Sequence, residues 1–183
     1  GDQENQAAPA GQTGDASDLS NTLVYAGENE STINPVLSSH DEIVELVFSG
    51  LMKYDGNGLP VPDLAESYEY DTDSCTYTFH LKKDVKWHDG EPFTAKDVVF
   101  TYQVLTEDET LTSTLTSNYE DIIEVSAPDD DTVVITLDQY CANMLGYFTI
   151  GIIPQHLLEG EDMNTTSFNQ HPVGTGRFRF VDW

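Results

Sequence analysis

The chain has 183 residues, 38% of them apolar and 10% aromatic, which is enough for one domain with a real core and argues against disorder. Seven Lys and Arg stand against 33 Asp and Glu, a net charge of −26, so a phosphate backbone is repelled and nucleic acid is excluded as a partner. No apolar run approaches the ~18 residues needed to cross a bilayer; the longest candidate, 144–154, is too short and carries two glycines.

Residues 1–20 are rich in Gly, Ala, Gln, Asp and Ser and lack aromatics, which predicts a flexible linker. They show neither a basic segment nor an apolar one, so the expectation is that any signal peptide has been removed. Thr22–Ala26 reads as a short strand and runs into a polar loop, 27–35. Ser39 to Tyr54 reads as a helix, with Ser39 and Glu42 as a capping box and Ile43, Leu46, Val47, Gly50 and Leu51 on one face. Ser67–Tyr70 and Cys75–Leu81 read as antiparallel strands joined across Asp71–Ser74. Within the second, Thr76, Thr78 and His80 alternate with Tyr77, Phe79 and Leu81, the period of a half-buried strand.

Trp87-His88-Asp89-Gly90 is a turn, and Thr94 can cap a helix carrying Val98, Val99, Tyr102, Val104 and Leu105. Residues 106–119 read as a polar connector. Ile122–Ser126 and Thr132–Leu137 are strands joined by a turn at 127–131. Cys141–Leu158 reads as a short helix, an extended piece and a helix starting at Pro154. Residues 159–170 read as a polar loop, and Phe178–Trp183 as a strand.

Several sites of chemistry are weighed and set aside on spacing. Cys75 and Cys141 have no zinc spacing; a disulfide is open to an exported protein, and two buried free thiols are the expectation. His40, His80, His88, His156 and His171 are dispersed, and Asp71, Asp73 and Asp84 do not make a calcium loop, so no metal is expected. Met144 reads as core rather than a soft ligand. Gly174-Thr175-Gly176 lacks the spacing of either phosphate-binding glycine loop. His88-Asp89 has no nucleophile motif near it, and no catalytic residue and no cofactor are expected.

An ordered set of motifs runs through the chain. Gly50-Leu51-Met52-Lys53-Tyr54-Asp55 comes first, then Leu64-Ala65-Glu66-Ser67, Tyr77-Thr78-Phe79 and Leu81-Lys82. Asp84-Val85-Lys86-Trp87-His88-Asp89-Gly90, Phe93-Thr94-Ala95-Lys96-Asp97-Val98 and Pro172-Val173-Gly174-Thr175-Gly176 follow. Together these resemble the family 5 extracellular solute-binding proteins, the peptide and nickel receptors of ABC importers, over roughly residues 21–183. Arg177 stands where that family usually has proline.

The resemblance implies an α+β (mixed α/β) fold, the N-terminal part of a two-lobed periplasmic-binding-protein-like receptor of class II type with an extra domain. It implies lobe I pieces at 21–46 and 171–183, the extra domain at 47–170, and a remainder of the receptor outside this chain. A cut face at the terminal strand would then promote self-association. The expected function is capture of an oligopeptide or other small solute and delivery to an ABC permease, with no enzymatic activity. Nickel chelate, heme or a sugar are alternative ligands; a secreted hydrolase with paired carboxylates, or a surface adhesin or sensor, are alternatives of another class.

In that family the passage out of the first strand lies at the ligand cleft. Glu28, Asn29, Glu30, Ser31 and Thr32 are therefore the candidate ligand contacts. The expected location is the extracellular face of a bacterial membrane or the periplasm. Membrane attachment would run only through a lipid anchor outside this chain, since residues 1–20 resemble a lipoprotein spacer. The sequons at Asn29 and Asn164 are read as unglycosylated for the same bacterial reason.

Overall fold

The computed structural model describes residues 22–24, 32–38 and 42–182. The 1–20 linker therefore lies outside the described residues. In chain order the elements are α1 (Glu42–Val47), β1 (Met52–Tyr54), β2 (Pro60–Pro62), β3 (Ala65–Asp71), β4 (Thr76–Leu81) and α2 (Ala95–Glu107). A 3-10 turn (Leu115–Tyr119), β5 (Ile122–Asp129), β6 (Thr132–Leu137), α3 (Met144–Tyr147), α4 (Gln155–Leu158) and a second 3-10 turn (Ser167–Gln170) follow.

Four strands form one antiparallel sheet in the order β3-β4-β6-β5, and β1 pairs with β2 beside it. The two central strands carry the alternation that makes this sheet one-sided. Tyr77, Phe79 and Leu81 of β4 and Val133, Ile135 and Leu137 of β6 are buried, with Tyr77 opposite Ile135 and Phe79 opposite Val133. The intervening Thr76, Thr78, Thr132 and Thr136 are half-buried on the other face, where β-branched residues suit the pleat. Helix α2 packs against β5 and β6, burying Val98, Thr101, Tyr102 and Leu105.

Phe148 is the ring on which the core converges. It is fully buried and meets Phe79 at 5.0 Å, Tyr77 at 5.1 Å and Tyr102 at 5.9 Å, each edge to face.

Asp97 joins three pieces of chain to this core. It closes the capping box of α2, with Thr94 Oγ1 accepting from the Lys96 amide at 3.3 Å and Asp97 Oδ2 accepting from the Thr94 amide at 3.0 Å. The same oxygen accepts from Trp87 Nε1 at 3.2 Å, and Oδ1 accepts from the Gln155 amide at 3.0 Å. The carboxylate is only 5% exposed, and these three N–H donors are what offset its burial. Trp87, 2% exposed, thus anchors its turn.

Some elements differ from the sequence reading. The first helix ends at Val47, and Met52 already pairs in β1. The apolar residues beyond it serve the same core without being helical, because Gly50 bridges to Gly151 and redirects the chain. Residues 22–24 are not assigned to a strand and Leu23 and Val24 are exposed, while 25 and 26 of the expected strand lie outside the described residues. Residues 178–182 are not assigned to a strand among the described residues; the Gly176 and Phe178 amides donate to the Val47 and Leu46 carbonyls. Strand β5 runs on to Asp129, leaving a shorter turn than the 127–131 expected. Cys75 and Cys141 are free, as expected, but half-buried rather than buried.

Candidate functional site

Two buried asparagines, 135 positions apart, shape the region where the predicted contact loop ends. Asn34 is fully buried, and its Nδ2 donates to Asn169 Oδ1 at 2.9 Å. Its own Oδ1 accepts from the Val36 amide at 3.2 Å, an Asx turn that reverses the chain at Pro35. Asn169 returns the tie: its carbonyl accepts from the Ile33 amide at 2.8 Å, and its Nδ2 donates to Met163 O at 2.9 Å. Each side-chain polar atom of this pair finds a partner, so the loop 32–38 is fastened to the 163–170 segment.

A third asparagine brings in a third loop. Asn164 donates from Nδ2 to Thr110 O at 2.7 Å and accepts at Oδ1 from the Thr112 amide at 2.9 Å. The three loops meet around an open cavity of about 470 Å³, lined by Thr32, Leu37, Ser38, Thr112 and Asn164. That volume is within the range of small-ligand sites. Among the described residues none of the lining side chains is charged. Among the described residues the hydroxyls of Thr32, Ser38 and Thr112 have no hydrogen-bond partner. They are the groups left to receive a ligand's amides or hydroxyls.

Thr32 is thus placed on a cavity wall, while Glu28, Asn29, Glu30 and Ser31 lie outside the described residues. Leu37, Ser38, Thr112 and Asn164 were not singled out from the sequence. Nothing in a polar loop distinguishes a lining threonine from a solvated one, and Asn164 reaches Thr112 across 52 positions.

A smaller cavity of about 260 Å³ lies beside His88, Asp89, His171 and Arg179. The side chains of His88 and Asp89 are engaged. The Gly174 amide donates to His88 Nδ1 at 3.3 Å, so Nε2 carries the ring proton and donates to Gly176 O at 2.8 Å. Asp89 Oδ2 pairs with His156 Nε2 at 2.6 Å. Burial pushes the Asp89 carboxyl up, but hydrogen bonds from His156 and the Glu91 amide, with the His156 charge, hold it below the usual range. His88 and Asp89 therefore face different partners and do not form a base with its orienting acid. Among the described residues no group of three or more His, Cys, Asp or Glu is placed to hold a metal ion. No helix among them is long and apolar enough to cross a membrane.

Residues 60–183 match the family described as bacterial extracellular solute-binding proteins, family 5 middle. Protein XP55 of Streptomyces lividans is 34% identical over 180 residues, which is 97% of this chain and 33% of that protein. The oligopeptide-binding protein AppA of Bacillus subtilis is 33% identical over 172 residues, 88% of this chain and 31% of AppA. Its structure in complex with a nonapeptide superposes with a TM-score of 0.77 at 30% identity, over 83% of this chain and 32% of that one. The crystal structure of NikZ from Campylobacter jejuni in complex with Ni(L-His) superposes with a TM-score of 0.79 at 42% identity, over 83% and 31%. The chain therefore spans about a third of the length of the relatives it matches. With this fold and this order of motifs, the chain belongs to the family 5 bacterial extracellular solute-binding proteins, a family of mixed α/β solute receptors.

Proposed function

We propose that this protein captures a small extracellular solute, an oligopeptide first among the candidates, and delivers it to an ABC permease. The observation that carries the ligand class is the cavity between the loops at 32–38, 110–112 and 164, whose lining among the described residues is hydroxyls, an amide and a leucine. Such a wall suits a peptide main chain, whose amides hydrogen-bond without regard to side chain. Thr32 would contact the ligand, and Glu28, Asn29, Glu30 and Ser31 precede it in the same loop. Capture would proceed by lobe closure, the ligand favouring the closed state by its differential affinity.

The lobe assignment is part of the same reading. Residues 21–46 and 171–183 would belong to lobe I and 47–170 to an extra domain. The two chain passages between them run side by side, with the Gly176 amide donating to Val47 O at 2.8 Å. The protein would act outside the cytoplasmic membrane or in the periplasm, held by a lipid anchor outside this chain, and would catalyse no reaction. A nickel chelate is the second reading, favoured by the likeness to NikZ. The dispersed histidines favour the peptide over it.

Native mass spectrometry of gently purified receptor tests the proposal. A ladder of bound masses that fragment as peptides is the expected result. A single nickel-containing mass would replace the ligand class. Turnover of added peptides with release of fragments would overturn the receptor reading in favour of a hydrolase.

A further inference from the structure

His88 makes three hydrogen bonds to the two glycines of one loop. Its amide donates to Gly174 O at 3.0 Å, its Nδ1 accepts from the Gly174 amide at 3.3 Å, and its Nε2 donates to Gly176 O at 2.8 Å. The opposite side of that loop is pressed onto the end of α1. Gly176 and Phe178 amides donate to Val47 O at 2.8 Å and Leu46 O at 3.1 Å. A Cβ on Gly174 would stand 2.0 Å from Val47 O, and one on Gly176 2.4 Å from Leu46 O. No other residue type can occupy these positions without moving the backbone.

From this loop a continuous set of contacts leads to the cavity wall. A side chain on Gly174 would also meet Phe48 Cδ1 at 3.1 Å, so Phe48 abuts the loop. Phe48 Cβ and Pro35 Cγ both close on the same glycine, Gly151, at 2.7 and 2.8 Å from where its Cβ would be. The Phe48 ring also lies 6.0 Å from that of Phe168, next to Asn169, which holds Asn34. Pro35 and Asn34 belong to the loop that supplies Thr32, Leu37 and Ser38.

We propose that His88 is a positioning residue for ligand binding: as the Nε2–H tautomer it clamps the Gly174–Gly176 loop onto α1 and so fixes the loop 32–38 through Phe48. The imidazole has one acceptor and one donor on opposite edges of a rigid ring. Only this tautomer satisfies a backbone N–H and a backbone carbonyl two residues apart. His88 does not line the cavity at 32–38. It acts by removing freedom from a wall that would otherwise have to be ordered on binding. The inference rests on the cavity reading above for its effect on affinity, but not for the clamp itself.

The test uses the whole receptor and three measurements. Long-range ¹⁵N correlation spectra should give His88 as the Nε2–H tautomer. Amide exchange in His88→Ala should quicken at Gly176 and Phe178 and also at Ile33, Leu37 and Ser38, whose amides are hydrogen-bonded in the native loop. Affinity for a mixed nonapeptide pool should fall roughly tenfold. His88→Gln, whose side-chain amide can reach one of the two partners, should recover part of both effects and serves if the alanine variant does not fold. His80→Ala, on the far face of the sheet with Glu69, should change neither. An Nδ1–H or doubly protonated ring would overturn the proposal, as would quickened exchange confined to 87–90 and 174–178. If the receptor binds no peptide but exchange at 32–38 quickens in His88→Ala, the clamp stands and the cavity reading falls.

Discussion

The sheet with its helix and the wall of the cavity are built on opposite economies of contact. Around Phe148 every ring meets another, and Asp97 draws donors from a turn, a cap and a second helix into one carboxylate. The cavity wall has three loops, tied by asparagine amides at their bases and carrying hydroxyls at their rims. Close packing resists any change of shape, whereas a rim supported only at its base can accept varied ligands. The proposed capture of peptides with differing side chains would need both: a frame that does not yield and a surface that does.

Breaking the frame should show the largest effect. Phe148→Ala removes the ring shared by Phe79, Tyr77 and Tyr102 and should cost about 3–5 kcal/mol, read from the urea midpoint. Asp97→Ala should cost roughly 2–4 kcal/mol, because it removes a helix cap and leaves Trp87 Nε1 and the Gln155 amide without an acceptor. Asp97→Asn should recover only part of this, since its NH2 must face one set of donors. Equal stability of Asp97→Ala and the parent would mean the carboxylate is a passenger rather than a hub.

How much of each region was legible follows from the range of its interactions. β4 and β6 are written in the alternation of Tyr77-Thr78-Phe79 and Val133-Val134-Ile135, and α2 in Thr94 with Asp97 three residues on. These are local patterns, and local physics decides them. The end of α1 was misread because Gly50 stops the helix by meeting Gly151, a hundred residues away. Residues 178–182 look like a strand by composition but are not assigned to one among the described residues. The asparagine ties are least legible of all. Asn34, Asn164 and Asn169 are ordinary loop residues by type; only the burial of Asn34 against Asn169, and the reach of Asn164 to Thr110 and Thr112, make them structural.

Alkali should loosen the frame by an intermediate amount. Burial pushes the Tyr77 phenol up to about 12, with Tyr70, Tyr68, Tyr140 and the Cys141 thiol adding to it. Burial also raises Tyr102 well above its ordinary value and raises Tyr119, each with a neighbouring phenol contributing. An unfolded tyrosine ionises near ~10. Below that pH both states hold the proton, and the stabilisation is fully present. As pH rises from ~10 towards 12 the unfolded chain loses its protons first, so stability should fall across that window. Urea midpoints at stepped pH, with phenolate absorbance recorded in parallel, would check this. A flat midpoint over the window would show that these rings ionise as freely in the fold as out of it.

At the rim the effect on stability should be smallest, and that contrast sharpens the comparison most. Thr32→Val and Thr112→Ala each remove a hydroxyl without a partner among the described residues, so neither should change the urea midpoint by more than about 0.5 kcal/mol. If those hydroxyls receive ligand amides, each loss should weaken peptide affinity by about 3- to 10-fold, the worth of one hydrogen bond. Asn164→Ala should behave differently, because its amide supports the loop rather than the ligand. It should lower stability slightly and weaken binding through disorder at Thr110–Thr112, visible as faster exchange of the Thr112 amide. Calorimetry on the three variants separates the roles. A hydroxyl contact should disappear mainly as lost enthalpy, whereas a loosened loop should appear as an added entropic cost of ordering. If Thr32→Val binds as the parent does, the hydroxyl wall is not the ligand's surface, and the contacts must be sought elsewhere on the receptor.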